Sequence, residues 1–150
     1  MNAPDLRTQP PRRWSDAIDG VIWLPRIAEK ARAFDAGTLG SFLYGQSPID
    51  DSFLGDAKLD YDSFLEIVRS ASGDAEVLRE IERRNPGTTA RLQAWSAAFP
   101  KRRAVYIRLW DLDEGYVNPW WATPARALGN LAFVPVLALL RKLRPRPRTQ

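Results

Sequence analysis

Apolar residues recur with a helical period soon after the start of the chain. Over residues 25–36, Ile27, Ala31 and Phe34 fall on one face when successive residues are placed about 100° apart. Pro25 suits the first turn of a helix, and Gly37 suits the position just after its end. Four charged residues occupy the opposite arc: Arg26, Glu29, Lys30 and Arg32. The pattern predicts an amphipathic helix.

Start and stop signals predict three further helices. Asp60 is a typical N-cap for a helix from Tyr61 to about Ser70. The helices that follow run from Asp74 to the Asn85-Pro86 pair, and from a cap at Thr88 or Thr89 to Pro100. Within each of them the apolar residues are spaced to share one face, as expected of helices that pack on a common core.

Two segments are less regular. Glycine and proline interrupt residues 37–54, which predicts a loop with a short helix near 39–43, a turn at Ser47-Pro48 and a solvated acidic turn around Asp50. Residues 104–112 fit a strand as well as a helix, and we favour a helix because a lone strand would have no partner. We therefore predict an all-α protein: a compact bundle of about five to six short helices, with a long Gly/Pro-containing loop and an apolar C-terminal helix.

We expect three regions along the chain. Residues 1–22 form an extended, Pro-rich lead-in, residues 23–115 the helical domain, and residues 116–150 a linker, an apolar helix and a basic tail packed on the domain or on a partner surface. The first residues lack the apolar core of a secretory signal, so we expect a cytoplasmic protein.

The C-terminal segment 127–140 is apolar on all sides, interrupted by Gly129, Asn130 and Pro135. A span needs about 20 apolar residues, so this segment is too short. Two alternatives remain: residues 124–143 pack on the body or on a second copy, or they lie at the inner face of an anionic membrane. The expected contacts to membrane or partner are Trp120, Trp121, Phe133, Arg141 and Lys142. Nucleic acid is the least favoured partner.

Composition limits the chemistry. The chain has no cysteine and no histidine, which excludes disulfides, Cys-His and Ser-His nucleophiles and the usual zinc ligands. We expect neither a metal nor a cofactor. Residues 124–150 carry six cations and no acid, which leaves 16 cations against 18 acids in residues 1–123. The net charge of +4 therefore originates in the tail.

The charged arc of the first helix and the following loop form the candidate site. Arg26, Lys30, Arg32 and Asp50 could bind a small anionic ligand, since arginine grips carboxylates and phosphates in a two-pronged manner. The alternative is that this arc is only the polar face that any amphipathic helix needs, with Glu-Arg pairs contributing a few tenths of a kcal/mol. If the protein is an enzyme, Glu29, Asp50 and Tyr44 are its proton-transfer groups.

The chain also resembles a bacterial family of small, mainly helical proteins that is described only as a domain of unknown function. The resemblance rests on LPR at 24–26, EKAR at 29–32, the glycines at 37 and 40, and PID at 48–50 followed by FL at 53–54. It covers roughly residues 5–115, including DLDEG at 111–115. The family pattern has Cys where this chain has Ser47, and Glu-Tyr where it has Ser41-Phe42. The resemblance implies a helical fold and no particular activity.

Two functions follow as hypotheses. The first is a non-catalytic helical binding or interaction module, attached peripherally to a membrane through its C-terminal helix. The second is a small cofactor-free enzyme of lyase, isomerase or hydrolase type that acts on an anionic small molecule.

Overall fold

The computed structural model describes residues 3–116. They form six helices: α1 (Leu24–Asp35), α2 (Pro48–Ala57), α3 (Tyr61–Ser70), α4 (Asp74–Arg84), α5 (Thr88–Arg102) and α6 (Ala104–Asp113). The short strands β1 (Ala17–Ile18) and β2 (Val21–Ile22) pair antiparallel ahead of α1. The protein is therefore mainly helical, as its sequence predicts, and the small hairpin is one feature that the pattern did not indicate.

Several helix boundaries lie where local signals predict them. Gly37 follows α1 in the left-handed conformation, with φ of 70°. The Asp60 side chain accepts a hydrogen bond of 2.7 Å from the backbone N–H of Ser63 and so caps α3. The segment 104–112, which fits both patterns, is helical in α6. These signals act over a few residues, which is why they can be identified in a sequence.

Residues 47–57 differ from the prediction. Instead of a turn, they form α2, with Ser47 as N-cap and Pro48 in the first turn. Acidic residues are stabilising near a helix N-terminus, and Asp50 and Asp51 occupy that position. Asp50 is fully buried, so the expectation of a solvated acidic turn is wrong for this residue.

Two smaller expectations are also wrong. Residues 39–43 contain a turn at Gly40 and Ser41 rather than a short helix, and Gly40 has φ of 64°, which interrupts right-handed helix geometry. Pro100 does not stop α5, which continues to Arg102. Pro100 has no backbone N–H, so α5 continues past it with one i→i−4 hydrogen bond fewer.

The hydrophobic core of residues 3–100 is built around α1. Its largest fully buried side chains include Leu24 and Ile27 of α1, Phe53 of α2 and Phe64 of α3. Each such side chain contributes about 1.5–3 kcal/mol relative to its exposed state. Aromatic rings extend this core, as in the stacked pair Trp95 and Phe99, whose centroids are 4.6 Å apart.

Residues 3–22, which the pattern assigns to an extended lead-in, form turns and the hairpin. Leu6 is 3% exposed, and its backbone N–H donates to the Thr38 carbonyl at 2.9 Å. The Thr38 hydroxyl in turn donates to the Pro4 carbonyl at 2.8 Å. The start of the chain is thereby held against the segment that follows α1.

In residues 101–116, α6 buries Ile107 and Asp111 and exposes large apolar side chains elsewhere. Among residues 3–116, no helix has the length and apolar character needed to cross a bilayer.

Gly40 provides a test of how the lead-in is held. A Cβ at Gly40 would lie 2.8 Å from the Leu6 carbonyl oxygen, whereas a Cβ at Gly37 would meet nothing within 4 Å. Both glycines have positive φ, which costs an L-residue about 1–2 kcal/mol. We therefore expect Gly40→Ala to lower the free energy of unfolding by about 1–3 kcal/mol more than Gly37→Ala, since it adds overpacking.

Urea unfolding of the two variants measures this difference. Equal destabilisation by both substitutions would contradict the close packing of Gly40 on Leu6.

Candidate functional site

Helix α1 is buried on its charged arc as well as on its apolar face. Arg26, Lys30 and Arg32 are 6%, 4% and 7% exposed. The interpretation of this arc as a simple solvent-facing polar surface is therefore wrong. The lead-in and the N-terminal ends of α2 and α4 supply the groups that contact it, so that its charges face other parts of the protein.

Lys30 and Asp50 form a buried ion pair between α1 and α2. The Lys30 ammonium binds Asp50 Oδ2, and the two side chains are 5% and 0% exposed. The Trp23 indole Nε1–H donates to Asp50 Oδ1 at 2.9 Å. Both carboxylate oxygens of Asp50 are thus engaged, as the burial of a charged group requires.

Trp23 holds this pair at the start of α1. It has a left-handed backbone with φ of 70°, a conformation that strains a bulky residue. Its ring centroid lies 5.8 Å from Lys30 Nζ and 5.3 Å from Arg26 Cζ. The indole therefore contacts two cations through its ring and one carboxylate through its N–H, which gives the strained residue a defined role.

A second charged cluster joins the lead-in to α1 and α4. The Arg12 backbone N–H donates to Glu29 Oε2 at 2.7 Å, and Arg12 Nε donates to Glu29 Oε1 at 2.8 Å. Arg12 Nη2 binds Asp74 Oδ2 and also donates to the Pro25 carbonyl at 3.2 Å. Arg12 thus connects residues far apart in sequence.

Arg32 and Arg26 complete the arc. Arg32 Nη1 lies 2.8 Å from Asp74 Oδ1. Arg26 Nη1 donates to the backbone carbonyls of Arg12, at 3.0 Å, and of Pro11, at 3.5 Å. Backbone carbonyls of the lead-in therefore accept hydrogen bonds from the buried guanidinium of Arg26.

The Tyr44 hydroxyl is hydrogen-bonded to a backbone carbonyl rather than to the charged groups of these ion pairs. Its hydroxyl donates to the Tyr61 carbonyl at 2.8 Å, and its ring packs against Phe34 and Tyr61 with centroids 5.2 and 5.1 Å away. Burial, reinforced by the negative charge of Asp50, raises the pKa of Tyr44 well above its ordinary value. Tyr44 therefore keeps its proton throughout the neutral range.

The structure brings only some of the predicted site residues together. Lys30 and Asp50 are in direct contact, and Arg26 shares the Trp23 ring with Lys30. Glu29 is bound to Arg12 and thereby linked to the Asp74 cluster. The sequence patterns missed three participants, namely Arg12, Trp23 and Asp74, because nothing local marks a residue as the partner of a distant charge.

The ion pairs of α1 with α2, α4 and the lead-in form a charged scaffold, a set of charges that holds these segments together. Each proposed proton-transfer group has a bonded partner: Arg12 for Glu29, Lys30 for Asp50, and the Tyr61 carbonyl for Tyr44. Within residues 3–116, no group of three or more acidic side chains is placed to hold a metal ion.

The predicted contacts to a membrane or partner lie outside the described residues. They are Trp120, Trp121, Phe133, Arg141 and Lys142.

A family model described as Domain of unknown function (DUF5069) matches residues 8–117. The match covers most of the chain, which therefore belongs to this family, and the resemblance seen in the LPR, EKAR and PID motifs is confirmed. No curated protein matches the chain.

The Lys30–Asp50 pair can be tested by removing its negative charge. Asp50→Asn leaves a buried ammonium without a counter-charge, so we expect the free energy of unfolding to fall by about 3–5 kcal/mol. Asp35→Asn is the matched control, because Asp35 pairs with Arg69 at the surface, where such pairs contribute about 0–1 kcal/mol. Urea unfolding of both variants gives the comparison; a loss below about 1 kcal/mol for Asp50→Asn would show that the pair is not buried.

The buried Tyr44 predicts a loss of stability at high pH. Because folding raises its pKa above the unfolded value of about 10, its contribution is complete below about pH 10 and is lost as the pH rises further. Tyr44→Phe should therefore show a shallower alkaline decline in unfolding free energy than the wild type. Tyr106→Phe, which alters an exposed ring, is the control. Parallel declines in the wild type and Tyr44→Phe would contradict the burial of the phenol.

Proposed function

We propose that the protein is a non-catalytic binding module that attaches peripherally to an anionic membrane surface through its C-terminal part. The observation that carries this proposal is the exposed face of α6, which combines apolar side chains with cations. The expected location is the cytoplasm, at the inner face of the membrane.

The exposed face of α6 has the composition of an interfacial helix. Val105, Tyr106 and Leu109 are 71%, 54% and 48% exposed. Four cations on the exposed surface flank or accompany them: Lys101, Arg102, Arg103 and Arg108. Apolar residues beside cations are typical of helices that lie in the headgroup region, where the apolar side chains leave water and the cations meet anionic lipid. The exposed acid Asp113 opposes this attraction in part.

The sequence after α6 continues the same chemistry. Trp120 and Trp121 are of the residue type enriched at membrane interfaces. Residues 124–150 add six cations and no acid, and each cation near an anionic surface contributes about 1 kcal/mol. Residues 1–123 have a slight excess of acids, so the proposed attraction depends on the C-terminal part.

The buried charges favour a structural role for this cluster rather than a catalytic one. General acid–base catalysis needs a group within hydrogen-bond reach of a substrate proton. Glu29, Asp50 and Tyr44 instead bond to other parts of the chain, and Asp50 is fully buried. No observation on the described residues favours the enzyme alternative.

Co-sedimentation with vesicles tests the attachment. We expect the full-length chain to pellet with vesicles of phosphatidylcholine and phosphatidylglycerol at low salt, and to be released at high salt or when phosphatidylglycerol is omitted. Val105→Glu with Leu109→Glu should weaken binding by about tenfold or more, since two apolar contacts are replaced by charges that the lipid repels. Ala90→Glu with Ala94→Glu, which adds the same two charges at exposed positions of α5 with the same four-residue spacing, is the matched control.

A chain ending at Thr123 tests the tail separately, and it should pellet far less than the full-length chain. Equal pelleting of the two chains, or salt-independent pelleting without phosphatidylglycerol, would contradict the proposal. Sedimentation as a dimer without vesicle binding would instead favour the alternative in which the apolar segment packs on a second copy.

A further inference from the structure

Three consecutive exposed cations, Lys101, Arg102 and Arg103, join α5 to α6. Endopeptidases with an acidic S1 pocket cut peptide bonds that follow lysine or arginine. We infer that an endopeptidase of this class cleaves the chain here, at the bond between Arg103 and Ala104. Hydrolysis breaks the C–N bond: the hydroxyl of water stays on the Arg103 carbonyl carbon, and its proton goes to the Ala104 nitrogen.

The cations begin the longest run of exposed residues in the described part of the chain. All six residues from 101 to 106 are exposed, whereas no other exposed run within residues 3–116 is longer than three. Because one helical turn takes 3.6 residues, a packed helix buries at least one side chain in any run of six. The stability of a short helix comes mainly from such packing, so this stretch can open at little cost to the extended form that an endopeptidase binds.

The backbone around the proposed bond is also weakly held. Pro100 has no N–H, so the last turn of α5 has one hydrogen bond fewer. Arg103 lies outside both helices, with φ of −124° and ψ of 20°, and its side chain does not cap α6. The bond between Arg103 and Ala104 therefore lies where two helix ends meet, and helix ends have fewer hydrogen bonds than helix interiors.

A second pair of exposed arginines, at the end of α4, serves as a comparison. Glu80 binds both of them: Arg83 Nε and Nη2 lie 2.8 and 2.7 Å from its carboxylate, and Arg84 Nε lies 2.8 Å from it. The backbone N–H of Asn85 donates to the carbonyl of Ile81, a fully buried residue, at 2.9 Å. The peptide bonds that follow Arg83 and Arg84 are therefore held in a packed helix, and we expect them to resist the same endopeptidase.

Cleavage after Arg103 would separate the parts of the chain to which different roles are assigned. Met1–Pro100 is one compact unit, which contains the charged scaffold. Residues 104–150 carry the exposed apolar side chains of α6 and the six cations that follow residue 123. Cleavage would therefore release the body from an anionic membrane, a consequence that rests on the proposed function.

Limited trypsin digestion of the native full-length protein, without vesicles, tests the cleavage itself. Intact-mass spectrometry over time identifies the fragments. We expect a fragment ending at Arg103 to form at least about tenfold faster than fragments ending at Arg83 or Arg84, because cleavage of a folded chain follows the population of its open form. Chymotrypsin, whose S1 pocket is apolar, should likewise cut after Tyr106 before it cuts after the buried Tyr44.

Replacing the three cations by glutamine (Lys101→Gln, Arg102→Gln, Arg103→Gln) should leave residues 101–106 uncut by trypsin. Arg83→Gln with Arg84→Gln, the matched control, should not slow the cut after Arg103. The inference is overturned if residues 101–106 stay intact while bonds within residues 3–100 are cut, or if fragments ending at Arg84 form as fast as the fragment ending at Arg103.

Vesicles of phosphatidylcholine and phosphatidylglycerol test the consequence separately. After digestion, the fragment ending at Arg103 should remain in the supernatant, whereas the intact chain pellets. Pelleting of this fragment would contradict the release, and it would leave the position of the cut standing. A chain that is cut after Arg103 but never binds vesicles would contradict only the proposed function.

Discussion

Burying a charged side chain is costly unless another group compensates for the water that it loses. Helix α1 has three buried cations that each need such a group: Arg26, Lys30 and Arg32. Asp50 compensates Lys30 from α2, and Asp74 contacts Arg32 from α4. The lead-in supplies carbonyls to Arg26. Each compensating group comes from a different segment, so the charges of α1 determine where α2, α4 and the lead-in must lie.

Much of the fold could be predicted because its signals are local. The cap at Asp60, the proline in the first turn of α1 and the glycine after its end act within a few residues. The family motifs are likewise local strings, and they identified the family correctly. Helix α2 is one of the exceptions, because the Ser47-Pro48 pair fits a turn as well as the beginning of a helix.

The candidate site could be predicted only in part, because its partners are distant in sequence. Arg12 is 17 residues from Glu29 and 62 from Asp74, and Lys30 is 20 from Asp50. A helical wheel places Lys30 and Arg32 opposite the apolar face, but it cannot show whether water or protein covers them. In the structure, other parts of the protein cover both side chains. Their charges therefore hold segments of the chain together instead of facing solvent. Tyr44 and Asp50, which the sequence offered as proton-transfer groups, are likewise covered by protein and hydrogen-bonded to other parts of the chain.

Amine labelling measures the burial of the α1 charges directly. The native protein would be treated with an excess of an amine-acetylating reagent, and the modification of each lysine followed over time by mass spectrometry. Lys30 is 4% exposed and bound to Asp50, whereas Lys58 and Lys101 are exposed. We expect Lys58 and Lys101 to be modified rapidly, and Lys30 only when the protein is unfolded. Modification of Lys30 at the rate of Lys58 in the folded protein would contradict the burial of the Lys30–Asp50 pair.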